Sequence, residues 1–164
     1  MKAVVVYESL WGNTAAIAGA IAQGLGQGAV ALPTSAADAA ALAGADLVVA
    51  GAPLLGFSLP TDEMRANIAA NPGVGAPKPD VSGPSMRAWV EALPAGSQRF
   101  ATFETRIWWS PGSAAKSIAT ALKAKGYHAA APSEKFVVTG RYGPLKSGEL
   151  ERARDWGASL ARTM

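Results

Sequence analysis

Residues 3–25 read AVVVYESLWGNTAAIAGAIAQGL, and the change of pattern inside this stretch decides the fold. Residues 3–7 are an apolar, valine-rich run without alternation, as expected of a strand covered on both faces of a parallel sheet. From Thr14 to Leu25 the apolar residues return at helical spacing, at Ile17, Ala20, Ile21 and Leu25, and Gly26 and Gly28 close the segment. Between strand and helix stand two hydroxyls, Ser9 and Thr14, with Gly12 and Asn13. A strand that turns directly into a helix leaves first-turn amides unpaired and the positive end of the helix dipole facing outward, which suits an anion.

The alternation continues along the chain. Residues 29–32 form a short strand, Ser35 is placed to cap a helix reaching Leu42, and DLVVAGA at 46–52 is a second continuous apolar strand ended by Pro53. A short helix over 61–69 is followed by NPGVGAPKPDVSGP at 71–84, whose Gly and Pro content marks a surface loop. Residues 86–93 are helical, with Met86, Trp89, Val90 and Leu93 on one face. Strand 99–103, a loop at 104–113, a helix at 113–125, strand 135–139 and a helix at 148–162 complete the pattern. Five strands alternating with helices predict an α/β, doubly wound five-stranded parallel sheet with helices on both faces, order 2-1-3-4-5, in a single domain over 1–164. Ligands of such sheets bind beyond the carboxyl ends of the strands, so the loops at 8–14, 52–60 and 104–113 matter most.

The 164 residues are 49% hydrophobic and 16% charged, which suits a packed core and argues against a disordered tail. Without cysteine and with one histidine, His128, the chain cannot build a disulfide, a cysteine-held cluster, a thiol catalyst or a multi-histidine metal centre. His128 falls at the end of the sheet away from the three loops. The net charge of +3 comes from scattered rather than clustered basic residues, so no nucleic-acid face is expected. No secretory signal and no membrane-length apolar run is present, which points to the cytoplasm.

In the first loop Ser9 and Thr14 offer hydroxyls, Asn13 an amide, and Gly12 an unobstructed backbone, while Leu10 and Trp11 complete the turn. The loop has no lysine and matches neither the Walker pattern nor the three-glycine dinucleotide fingerprint, so the fitting anion is a single phosphate held by neutral donors. Ser9, Gly12, Asn13 and Thr14, placed after a buried strand, resemble the phosphate loop of the flavodoxin family, and the resemblance extends over the whole chain in strand order and length. It implies FMN, with the phosphate held by Ser9, Leu10, Trp11, Gly12, Asn13 and Thr14 and the isoalloxazine ring lying between the other two loops.

For the ring, the resemblance implies contacts from Ala52, Pro53, Leu54, Leu55, Gly56 and Phe57 in the second loop and from Glu104, Thr105, Arg106, Trp108 and Trp109 in the third. Leu54, Leu55 and Phe57 equally suit core packing. The family often flanks the ring with a tryptophan from the second loop and a tyrosine from the third; here the second loop has no tryptophan and the third no tyrosine, which leaves Trp109, Trp108 and Trp11 as stacking candidates. Arg106 is a further departure from an acidic family: near the ring it would raise the flavin's potential or make the one-electron intermediate less stable, whereas paired to Glu104 or facing solvent it would not.

Three functions are open to such a chain. The first is an FMN-binding redox protein carrying electrons between partner proteins, a reductase and an acceptor. The second is an FMN-dependent oxidoreductase acting on a quinone or on protoporphyrinogen, since the loop also resembles that of menaquinone-dependent protoporphyrinogen oxidase; only this reading calls for contact with a membrane surface. The third is a non-redox interaction domain. Its response-regulator form is disfavoured, because Glu8 stands alone after the first strand and Gly51-Ala52-Pro53 replaces the expected aspartate. The Arg141, Tyr142, Gly143 and Lys146 segment reads as a solvated loop or a rim at the ligand end, and the charges of the last helix as an exposed face.

Overall fold

A computed structural model describes all residues, 1–164. The elements run β1 (Ala3–Tyr7), α1 (Asn13–Leu25), β2 (Ala29–Pro33), α2 (Ala39–Leu42), β3 (Leu47–Pro53), α3 (Asp62–Ala70), α4 (Met86–Ala92), β4 (Arg99–Ile107), α5 (Ala114–Ala124), β5 (His128–Ala129), β6 (Glu134–Val138) and α6 (Glu149–Arg162). All strands pair in parallel, in the order β2-β1-β3-β4, with β5 and β6 both beside β4. No helix is long and apolar enough to cross a membrane.

Strand side chains alternate between faces, and each face has its own core. Val4 and Val6 join Val48, Ala50 and Phe100 under α4 and α5, where Met86, Trp89, Ile118 and Leu122 pack. Ala3 and Val5 join Leu47, Val49 and Phe103 under α1 and α6, where Ile17, Ile21, Ala153 and Leu160 pack. Helices α1 and α6 touch closely because Gly24 and Gly157 lie at their contact: a Cβ on Gly24 would run into the Arg154 carbonyl, and one on Gly157 into the Ile21 carbonyl.

Four expectations are corrected. The fifth sheet position, predicted at 135–139, is shared: β5 pairs with Arg99–Phe100 and β6 with Phe103–Ile107. Pro132 lies between the two pieces and has no N–H to offer the ladder. Strand β4 continues to Ile107 instead of ending at Phe103, because β3 pairs with it as far as Thr105 and β6 as far as Ile107. Helix α2 is capped by Asp38, whose carboxylate accepts from the Ala41 N–H at 2.8 Å, and not by Ser35. Glu149, expected on an exposed face, is buried; it accepts from the Val137 N–H at 2.6 Å and pairs with Arg152 at 2.9 Å, fastening the start of α6 to β6.

Candidate functional site

At the carboxyl ends of β1, β3 and β4 the three loops singled out by the sequence enclose one cleft of about 390 Å³. Leu10, Trp11, Asn13 and Thr14 line it from the first loop, Pro53, Leu54, Leu55, Gly56 and Phe57 from the second, and Thr105, Arg106, Ile107, Trp109 and Ser110 from the third. Helix α3 adds Met64, Asn67 and Ile68, and the end of β6 with the loop after it adds Val138 and Arg141.

The first loop is shaped by its own polar groups. Gly12 caps α1 at φ 93°, a left-handed conformation that any Cβ would strain. Ser9 Oγ accepts from the N–H groups of Gly12 (3.1 Å) and Ala15 (3.2 Å), while the Asn13 and Thr14 amides, first in the helix, have no intrahelical acceptor. Thr14 Oγ1 lies 2.8 Å from Thr105 Oγ1, both residues buried. Asn13 Nδ2 donates to the Tyr142 carbonyl at 3.2 Å. Trp11 meets Tyr142 edge to face, with ring centroids 4.9 Å apart, and its indole N–H is buried without an acceptor.

The second loop is joined to β4 by the Leu54 N–H donating to the Thr105 carbonyl at 2.8 Å. Leu55 and Ser58 then exchange two backbone hydrogen bonds, of 2.9 and 3.0 Å, around a two-residue turn in which Gly56 (φ 51°) and Phe57 (φ 67°) are both left-handed. Such turns favour glycine or asparagine at both places, so Phe57 is held in a strained backbone with its side chain 58% exposed at the mouth.

Arg106 is buried, and Nη1 donates to Glu104 Oε1 at 3.1 Å and to the Gly112 carbonyl at 3.0 Å. Glu104, fully buried, turns its other oxygen to the Ala115 N–H (3.1 Å) and Ser113 Oγ (3.2 Å), at the start of α5. The alternatives for Arg106 thus coexist: it pairs with Glu104 and also lines the cleft. The charged residues of the lining are Arg106 and Arg141; no carboxylate is among them.

On the other side of the first loop lies a second, polar cavity of about 430 Å³, reached by Ser9, Gly12 and Glu8 and roofed by residues 77–84. Here Arg65 Nε and Glu8 Oε2 lie 3.3 Å apart, both residues buried, without the alignment of a hydrogen bond. Glu8 Oε1 accepts from the Met86 N–H at 2.7 Å. Burial raises the Glu8 carboxyl above its ordinary value, against the opposing pull of the Met86 N–H and the Arg65 charge.

No family model and no curated protein matches the sequence. Solved structures do match in shape. An archaeal flavodoxin superposes with TM-score 0.69 at 20% identity, covering 99% of this chain and 97% of that one. Oxidised Flavodoxin 2 from Bacillus cereus gives 0.69 at 17% identity with full coverage of both. The metal-soaked Flv1 flavodiiron core from Synechocystis sp. PCC6803 gives 0.62 at 20% identity, covering 99% of this chain and 35% of that one.

The chain has the flavodoxin-like fold.

Within this flavodoxin-like chain most sequence-predicted site residues meet at the cleft, but several stand elsewhere. Ser9 and Gly12 face the second cavity, Ala52 is sealed in the core, and Glu104 acts behind Arg106 without lining the cleft. Trp108 is 76% exposed and outside the lining, whereas Trp109, 59% exposed, forms part of it. The wall formed by Met64, Asn67 and Ile68 is not among the residues that the sequence predicts. Its signal was the i, i+4 spacing of Met64 and Ile68 on a helix directly after the second loop.

Proposed function

We propose that this flavodoxin-like chain binds FMN in the cleft and carries electrons between partner proteins. The observation that carries the reading is the convergence of all three loops on one cleft whose two ends differ. One end has the free Asn13 and Thr14 amides at the start of α1; the other has apolar and aromatic walls from Leu54, Leu55, Phe57 and Trp109. The residues fit the group: Asn13 and Thr14, which line the cleft, carry first-turn amides without an intrahelical acceptor, and flat apolar walls suit a tricyclic ring.

Bound FMN would supply the chemistry of accepting and passing on electrons. Asn13, Thr14 and the α1 amides would hold the phosphate, and Leu54, Leu55, Phe57 and Trp109 would cover the ring and exclude water. Glu104 and the Gly112 carbonyl fix the Arg106 guanidinium, so a positive charge faces the cleft at a set position. Exposed Phe57, Trp108 and Trp109 at and beside the mouth suit a docking protein, and the net charge of +3 favours partners with an acidic face. The test is steady-state reduction of a small quinone by the FMN-loaded chain with a chemical reductant. A carrier gives a rate linear in quinone; saturation at a defined KM would move the reading to an FMN-dependent oxidoreductase.

A further inference from the structure

The loop between β6 and α6 brings an unpaired cation to the α1 end of the cleft. Arg141 lines the cleft beside Trp11, Asn13 and Thr14. Its guanidinium carbon lies 5.7 Å from the Trp11 ring centroid and 5.8 Å from that of Tyr142. The five ion pairs of the molecule involve Arg65, Arg106 and Arg152, so Arg141 has no carboxylate partner, and no hydrogen bond engages its side chain. Two aromatic rings thus steady a guanidinium while leaving its N–H fork free for an oxyanion.

This loop is fastened to the first one. Asn13 Nδ2 donates to the Tyr142 carbonyl, and Gly143 lies so close that a Cβ there would come 2.6 Å from Asn13 Oδ1. The first loop itself offers a phosphate no formal positive charge: residues 8–14 contain Glu8 and no lysine or arginine, Leu10 and Trp11 are apolar, and Ser9 Oγ already accepts two amides. Of the two cations lining the cleft, Arg106 is paired with Glu104. Arg141 is the one left to neutralise a dianion.

Resting on the FMN reading, we propose that Arg141 is the counter-ion of the ligand's phosphate and sets the cleft's preference for FMN over riboflavin. The experiment measures dissociation constants for FMN and for riboflavin by quenching of flavin fluorescence, at low and high salt, in the wild type, Arg141→Gln and Arg141→Lys. The wild type is expected to prefer FMN. Arg141→Gln is expected to weaken FMN about tenfold, leaving riboflavin unchanged and flattening the salt dependence, with Arg141→Lys recovering part of the loss. An equal loss for both flavins would show that Arg141 only props Trp11 and Tyr142, and no loss for either would show that it stays in solvent; each result overturns this inference and leaves FMN binding standing. A wild type that takes up neither flavin would remove the FMN reading and this inference together.

Discussion

The hydroxyls of Thr14 and Thr105 stand 2.8 Å apart in a buried setting, joining the first turn of α1 to the end of β4 across 91 residues of sequence. This bond fixes the helix terminus against the wall that carries Arg106. Thr105→Val leaves the Thr14 hydroxyl buried without its partner, and the expected loss is about 1–3 kcal/mol. Thr14→Val with Thr105→Val removes both polar groups and should cost less than the sum of the single changes. Urea denaturation of all four proteins measures the coupling.

Phe57 occupies a left-handed position in the turn at the mouth and is more than half exposed. Phe57→Gly should therefore stabilise the chain by about 1 kcal/mol through relief of that backbone, even though an aromatic side chain is lost. The same change should weaken flavin binding by removing cover from the ring. Thermal denaturation without ligand and an FMN titration are expected to move in opposite directions, as for a residue that trades stability for function.

Arg106 is buried beside Glu104, so the two must be varied together. Arg106→Gln alone strands the carboxylate and should cost about 3–5 kcal/mol. With Glu104→Gln in the same chain the site keeps its shape and loses the cation facing the cleft. Because this double change removes the guanidinium together with the carboxylate paired to it, the net charge is unaltered and only the nearer position of the cation is lost, so the midpoint potential of bound FMN is expected to fall by no more than about 30 mV, roughly 1.4 kcal/mol for two electrons. Spectroelectrochemical titration reads the shift, and an unchanged potential would show that Arg106 does not act on the ring.

Glu149 makes part of the stability dependent on acid. The hydrogen bond with Arg152 does most to hold its carboxyl below the ordinary range, opposed by burial and aided by the Val137 N–H. Since the folded value lies below the unfolded one, this contribution is complete above about pH 4.3 and is lost as pH falls through the lowered folded value. Glu149→Gln should thus be less stable near neutrality and should differ less from the wild type as the medium is acidified. Glu8, raised by burial, acts in the opposite sense, its contribution fading as pH rises, so the variant must be compared with the wild type at each pH.

The fold was legible because burial on both faces leaves a plain mark: the valine runs at 3–7 and 46–52 have no alternation, and helix-spaced apolar residues follow the first of them. Strand β4 was cut short because Glu104, Thr105 and Arg106 look like a polar loop. They are tolerated in a buried strand because they satisfy one another, through the Glu104–Arg106 pair, the Thr14 hydroxyl and the first amides of α5. The split of the fifth strand leaves no mark in the sequence, since β5 is two exposed residues with no apolar pattern. At the cleft, residues adjacent in sequence to the strand ends were found, while Met64, Asn67 and Ile68 arrive by the packing of α3, a tertiary event with no local motif. Arg141 was visible only as a charge beyond the last strand; its aromatic cradle comes from Trp11, 130 positions away in the chain.

The central claim is tested most directly by the visible spectrum of the purified chain titrated with FMN, beside Gly12→Asp, with circular dichroism to show that both proteins are folded. One FMN per wild-type chain, with a shifted flavin spectrum that is lost in Gly12→Asp, is the expected result, because the variant strains a left-handed glycine and puts a negative charge at the start of α1, where it competes for the Asn13 and Thr14 amides proposed to hold the phosphate. A folded wild-type chain that leaves the FMN spectrum unchanged would contradict the account.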